Sequence, residues 1–164
     1  MYKNFLIWLM FALAVYVVQS SFLPLIHYNG IGPDLFLLIT GSFAFQKGSR
    51  MGSFMGFVLG LFQDLATGTF FGFNTFSKLL AGYGCGIFSS RVIRDNFMLP
   101  ISASVVSTSV CYFILMIIML MMGYRFNPLV HMTMNLIPLL CYNAVFAWPI
   151  HYMVRRIIEK TADK

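Results

Sequence analysis

The sequence predicts an all-α integral membrane protein: one polytopic domain over residues 1–164, a bundle of six transmembrane helices with both termini cytoplasmic. Three observations predict it. Apolar residues make up 59% of the chain and charged residues 10%, against about 45–50% and about 25% in a soluble domain. The apolar residues fall into six runs separated by short polar turns. The basic residues gather at alternate turns, as the positive-inside rule requires.

The first run is 5–23, long enough to span a bilayer. Lys3 followed by an apolar stretch is also how a signal peptide begins. The run is of spanning length, however, and Ala12-Leu13-Ala14 falls too early for a cleavage site, so it reads as an uncleaved anchor stopped by Pro24. His27, in the following turn, has no nearby partner in sequence and reads as interfacial.

The second run is 33–46. Pro33 suits a first helical position, and Asp34 suits the positive end of a helix. The third is 52–65. Both are short for spans. Short glycine-interrupted pairs point to an internal site in transporter-like folds. The plainer reading is that polar helix ends reach the head groups.

Gly52, Gly56 and Gly60 recur every four residues and Asp64 follows at the same step. They line one helix face without side chains, where another backbone can approach closely. Gly68 and Gly72 mark a turn. The fourth run, 70–89, carries Asn74, Lys78, Gly82 and Gly86. Residues 51–87 therefore read as a hairpin of two smooth helices around which the chain is organised.

The fifth run is 97–122. In its first half Ala103, Ser107 and Cys111 lie four apart and suit close packing; its second half is Leu, Ile, Met and Phe. The sixth is 129–154, with Pro138 and Pro149 expected to bend it and Asn135 and Asn143 placed to hydrogen-bond across helices. His131 and His151 read as interfacial.

Six spans put Lys3, Lys47, Arg50, Arg91, Arg94, Arg155, Arg156, Lys160 and Lys164 on one side and Arg125 on the other, with Lys78 inside a span. That places both ends in the cytoplasm and Asp34 and Asp64 at external helix ends. The net charge of +6 is thereby explained by topology and anionic lipid, with no call for nucleic acid.

Lys78 sits about 12 Å below the outer end of its helix at 1.5 Å per residue. A cation at such depth costs about 2.5–3.5 kcal/mol on insertion scales. It therefore needs an acid or a wet cavity, and Asp34 and Asp64 are the candidates. Asp34, Asp64, Asn74 and Lys78 form the expected interior polar cluster, structural in role. Gly52, Gly56, Gly60, Gly82, Gly86, Ala103 and Ser107 form the expected helix-packing or partner interface. Cys85, Cys111 and Cys141 lie in apolar runs and read as buried small hydrophobes. No metal-ligand spacing, phosphate loop or nucleophile–base pairing is present, so no cofactor, metal or catalytic residue is expected.

Pro33-Asp34, the basic turn of Lys47 and Arg50, Gly52-x-x-x-Gly56-Phe57-x-x-Gly60-Leu61-x-x-Asp64, Gly68, Gly72-x-Asn74 and Gly82-Tyr83-x-x-Gly86 together resemble the rod shape-determining protein MreD family. The motifs cover Pro33 to Gly86; the remaining spans match in size and hydropathy. Lys78 lies outside the family pattern. The resemblance implies a non-enzymatic, multi-pass inner-membrane component of the bacterial elongation machinery. Its implied partners are the single-span protein MreC and, through it, MreB, RodA and a class B penicillin-binding protein. It also implies a fold similar to the substrate-binding S-components of energy-coupling-factor transporters.

Two rival readings stand beside it. A small-molecule transporter subunit would use Asp34, Asp64 and Lys78 as a binding site, although the first run lacks the Ala-x-x-x-Ala pattern of such subunits. An intramembrane aspartyl peptidase would use Asp34 and Asp64 as a dyad, but the flanking Asn and Arg motifs are missing.

Overall fold

A computed structural model describes residues 2–27, 30–68, 71–89, 98–125 and 127–162. Six helical runs account for nearly all of them. The first is α1 (Tyr2–Val17), continued by a π turn, Val18–Phe22, and a 3-10 turn, Leu23–Ile26. Then come α2 (Leu35–Lys47), α3 (Ser49–Thr67), α4 (Phe73–Ser89) and α5 (Leu99–Met121). The last run is α6 (Pro128–His131), a π turn, Met132–Leu136, and α7 (Ile137–Ala162).

Pro24 does not stop the first run. It sits inside the 3-10 turn, directly after the π turn. Its ring crowds the carbonyl four residues back and it offers no N–H, so the helix widens before it instead of ending. The same arrangement precedes Pro138, while Pro149 is accommodated within α7. The last run also continues past Val154 to Ala162, where an Arg155–Glu159 pair at 2.9 Å staples the exposed final turns. Similarly, α3 is longer than 52–65 because its polar ends are helical too.

Three stretches are long and apolar enough to cross a membrane: Leu6–Ile26, Leu99–Met121 and Leu129–Thr161. The shorter α2 is apolar as well. The expected span limits Phe70 and Phe97, and Arg91, Arg94 and Lys164 of the charge argument, lie outside the described residues.

The centre of the bundle is α2. Every residue from Leu35 to Ala44 is buried, and α1, α3, α4, α5 and α7 all contact it. A helix apolar on all sides belongs in the middle. The hairpin of α3 and α4 is thus one flank of the fold and not its axis. Beside α3, Trp8 and Tyr16 of α1 meet Phe43 and Phe36 of α2, with Phe62 of α3 edge-on to Tyr16 and Phe36 at 5.6 and 5.8 Å between centroids.

The glycine faces of α3 and α4 lie against each other. A Cβ at Gly60 would stand 2.6 Å from the Asn74 carbonyl oxygen, and one at Gly52 would stand 2.7 Å from that of Gly82. Gly56 meets the Lys78 carbonyl and Gly86 the backbone of Ser49. Gly41 of α2 provides a further close approach: a Cβ there would stand 2.7 Å from Ser107 Oγ on α5. Two backbones this close gain dispersion contacts along their length. The short α2–α3 turn depends on Gly48, whose φ is +85°.

Gly82→Ala and Gly84→Ala separate this packing from helix propensity on one helix. The first drives a methyl into the backbone of α3; the second meets only Val110 Cγ1 at 3.4 Å. We expect Gly82→Ala to cost about 1–3 kcal/mol or more, as overpacking does. Gly84→Ala should be neutral or gain up to about 1 kcal/mol. Thermal unfolding of the purified variants in detergent checks both.

Candidate functional site

A short helix at the centre of a bundle must satisfy its first N–H groups without water. This requirement gathers the polar residues. Asp34 is the N-cap of α2, extended at φ −100° and ψ 93°, and its Oδ1 accepts the Leu37 N–H at 3.0 Å. Pro33 therefore precedes the cap and is not the first helical residue. The Leu35 N–H donates to Gln19 Oε1 at 3.1 Å, and the Asp34 N–H donates to Asn143 Oδ1 at 3.0 Å. Asn143 in turn donates to Thr108 Oγ1 at 2.8 Å.

The other carboxylate oxygen of Asp34 accepts from Lys78. Lys78 Nζ lies 2.7 Å from Asp34 Oδ2, with the Lys78 side chain 1% exposed and that of Asp34 23%. Lys78 also donates to Asn74 Oδ1 at 3.4 Å, one helical turn back on α4. The cation therefore faces inward and is paired with Asp34 rather than Asp64.

Asp64 does something different. It is buried at 1% exposure, and five donors converge on its carboxylate. Oδ1 accepts the Asn74 N–H and the Asn74 side-chain amide, each at 3.0 Å. Oδ2 accepts the Gly72 and Thr75 N–H groups at 3.0 Å and the Thr75 hydroxyl at 2.6 Å. An acid from α3 thus caps the N-terminus of α4, where the macrodipole favours negative charge. Asn74 joins the two halves, donating to Asp64 and accepting from Lys78.

The result is a continuous polar chain, Asp64–Asn74–Lys78–Asp34–Asn143–Thr108, joined by Gln19. It receives a residue from each of the six helical runs. The four residues of the expected cluster are all in it. Gln19, Thr75, Thr108 and Asn143 complete it; a polar residue inside an apolar run was the signal available for each. Ala103 and Ser107 are buried on α5 beside Gly41. The seven small residues face other helices of this bundle.

Two histidines expected at interfaces have partners within the bundle. His151 is buried on α7, with Nδ1 2.7 Å from Ser42 Oγ of α2. His131 is hydrogen-bonded to Tyr112 of α5, whose hydroxyl also donates to the His131 carbonyl at 2.9 Å. Cys85 and Cys111 are buried, but Cys141 is exposed on the outer face of α7; a thiol in an apolar run can face outward where the surface itself is apolar. Asn135 bonds the His131 carbonyl of its own run and also reaches Tyr112 of α5, as expected of a cross-helix partner.

The Asp64 carboxylate is saturated by five donors, and the Asp34 carboxylate holds the Leu37 N–H and the Lys78 ammonium. Such groups act as braces between helices. A cleft of about 310 Å³ lies beside Asp34, but neither Asp64 nor Lys78 lines it. Among the described residues no three His, Cys, Asp or Glu side chains come together as metal ligands.

The family described as rod shape-determining protein MreD matches this chain over residues 2–161. No curated protein and no solved structure gives a significant match.

Breaking a buried pair by removing one partner typically costs about 3–5 kcal/mol. We expect Lys78→Met to lower stability by that order and Asp34→Asn to do the same. The double variant should regain much of the loss, because no charge is left unpaired. Asp64→Asn, which turns an NH2 toward donors, should cost about 2–3 kcal/mol. A double-mutant cycle of unfolding midpoints in detergent checks the first. A double variant as weak as the sum of the singles would show the pair is uncoupled.

Proposed function

The chain belongs to the family of rod shape-determining protein MreD, and on that premise we propose that it is a non-enzymatic membrane component of the bacterial cell-elongation complex. It acts by lateral helix packing. Its direct partner is the single-span protein MreC, and through MreC it reaches MreB, RodA and a class B penicillin-binding protein. In this reading it helps position or activate peptidoglycan synthesis.

One observation carries the reading: Asp34, Asp64, Asn74 and Lys78 are engaged in holding the bundle's own helices, and many of its large apolar side chains are turned outward. Between α1 and α3 runs a groove of about 300 Å³ floored by α2 and walled by residues such as Trp8, Leu9, Phe54 and Val58. Phe54 and Val58 stand exposed on its rim. A groove of this size accepts a few large side chains of a crossing helix, in the manner of a helix laid into an apolar cleft. Lipid covers such a surface at little cost, so a partner helix must win by fit. The groove has that shape; a flat lipid-facing surface does not.

The placement in the bilayer follows. We infer six spans in the bacterial inner membrane with both termini cytoplasmic. Asp34 and Asp64 lie at the start of α2 and near the end of α3, and Lys47 and Arg50 flank the turn at the other ends of these helices. Acids outside and bases inside agree with the positive-inside rule.

The partner reading predicts that Phe54→Ala with Val58→Ala lowers MreC co-purification about tenfold or more, equivalent to about 1.4 kcal/mol. The unfolding midpoint should stay within a degree or two. A matched pair on α5, Phe113→Ala with Ile117→Ala, should leave MreC binding intact. Undiminished capture by the groove variant would remove the groove from the interface.

A further inference from the structure

The groove between α1 and α3 has a charged mouth that its apolar walls do not explain. Lys47 is the last residue of α2 and Arg50 the second of α3, separated by the tight turn at Gly48. Phe43 and Phe54 line the groove. Lys47 follows Phe43 by four residues on one helix, and Arg50 precedes Phe54 by four on the other. Residues four apart share a helix face. Both cations therefore stand over the same end of the groove, and both are exposed.

Topology asks for positive charge on this side of the bilayer, not for charge at this spot. On the same side, Arg155 pairs with Glu159 at 2.9 Å, and Arg156 bonds the Tyr152 hydroxyl and lies 4.9 Å from the centre of its ring. Lys47 and Arg50 have no ion pair with any described residue. Two such cations across one turn repel each other, and an anion shared between them relieves that repulsion. A crossing partner helix does not bring the anion, because a span carries its own Lys and Arg at the cytoplasmic end. The anionic headgroups of the cytoplasmic leaflet lie at the right level.

We propose that the mouth of the groove binds the phosphate of an anionic phospholipid between Lys47 and Arg50, and that this lipid bridges the chain to the basic flank of the helix that docks there. The bridge rests on the partner reading and on the cytoplasmic placement of the α2–α3 turn; the lipid site needs only the two side chains. The planar fork of Arg50 suits two phosphate oxygens, and Lys47 adds a point charge. Met51 and Phe54, exposed beside Arg50, give the acyl chains an apolar surface to lie on. A choline lipid carries its own cation beside the phosphate, so it gains less at this site. Without an anionic lipid, two basic flanks face each other and docking is weaker.

The test offers the full-length protein in detergent phosphatidylglycerol and phosphatidylcholine of identical acyl chains and reads retention by native mass spectrometry. The anionic lipid should be retained roughly tenfold or more over the choline lipid, and the preference should shrink as salt rises. Lys47→Gln with Arg50→Gln should remove most of it. Lys47→Arg with Arg50→Lys should keep it, and so should Arg156→Gln with Lys160→Gln, which takes the same charge from α7. Displacement of the lipid by millimolar inorganic phosphate would show a free-anion site and overturn the lipid assignment. MreC capture in bilayers of either lipid is the second readout. It should be several-fold stronger with phosphatidylglycerol, and the Gln pair should lose that gain. Equal capture in both bilayers overturns the bridge and leaves the partner reading intact; capture in neither overturns the partner reading, and lipid retention still decides the site. Equal retention of the two lipids, or a preference that survives in the Gln pair, would overturn the proposal.

Discussion

The structure depends on how one helix begins. The thirteen residues of α2 span about 20 Å at 1.5 Å per residue, less than the roughly 30 Å of a bilayer core. Its first turn is held by groups of the first run, α4 and α7. Buried N–H groups there would each cost several kcal/mol if left alone. Asp34, Gln19 and Asn143 meet that demand, and each comes from a different part of the chain. Placing a carboxylate at this depth creates a second demand, which Lys78 meets from α4. The ion pair is thus a consequence of capping a buried helix end.

Getting Lys78 there requires α4 to approach closely, and this is what the glycines allow. With side chains on the facing surfaces, α3 and α4 would be held apart and the lysine displaced from Asp34. Asp64 locks the same pair of helices from the end, since its carboxylate collects donors only when the first turn of α4 is in place. Steric smoothness and hydrogen bonding therefore specify one register between the two helices. Neither would do so alone: glycine stripes permit sliding, and a cap without close packing leaves the far ends free.

The bundle commits Asp34, Asp64 and Lys78 to holding its own helices, and many of its large apolar side chains are exposed. The chain belongs to a rod shape-determining family, and the proposed role rests on shape and surface. Rigidity has value here. In the proposed role a groove that keeps its form serves a partner helix, and the cross-bundle polar chain links the first run, α2 and α3, whose residues wall that groove.

The apolar fraction, the run lengths and the charge pattern were enough to read an all-helical membrane protein from the residues, because the bilayer leaves few alternatives for backbone hydrogen bonds. The four-residue spacing of Gly52, Gly56 and Gly60 was enough to mark a close-packing face, and Lys78 within an apolar run was enough to demand a counter-charge. Which acid answers it was open, since Asp64 is nearer in sequence and Asp34 is nearer in space. The centrality of α2 and the inward turn of His151 were likewise decided only in three dimensions. Each depends on which helices become neighbours, and hydropathy says how far a residue wants to be from water, not whose side chain it will meet there.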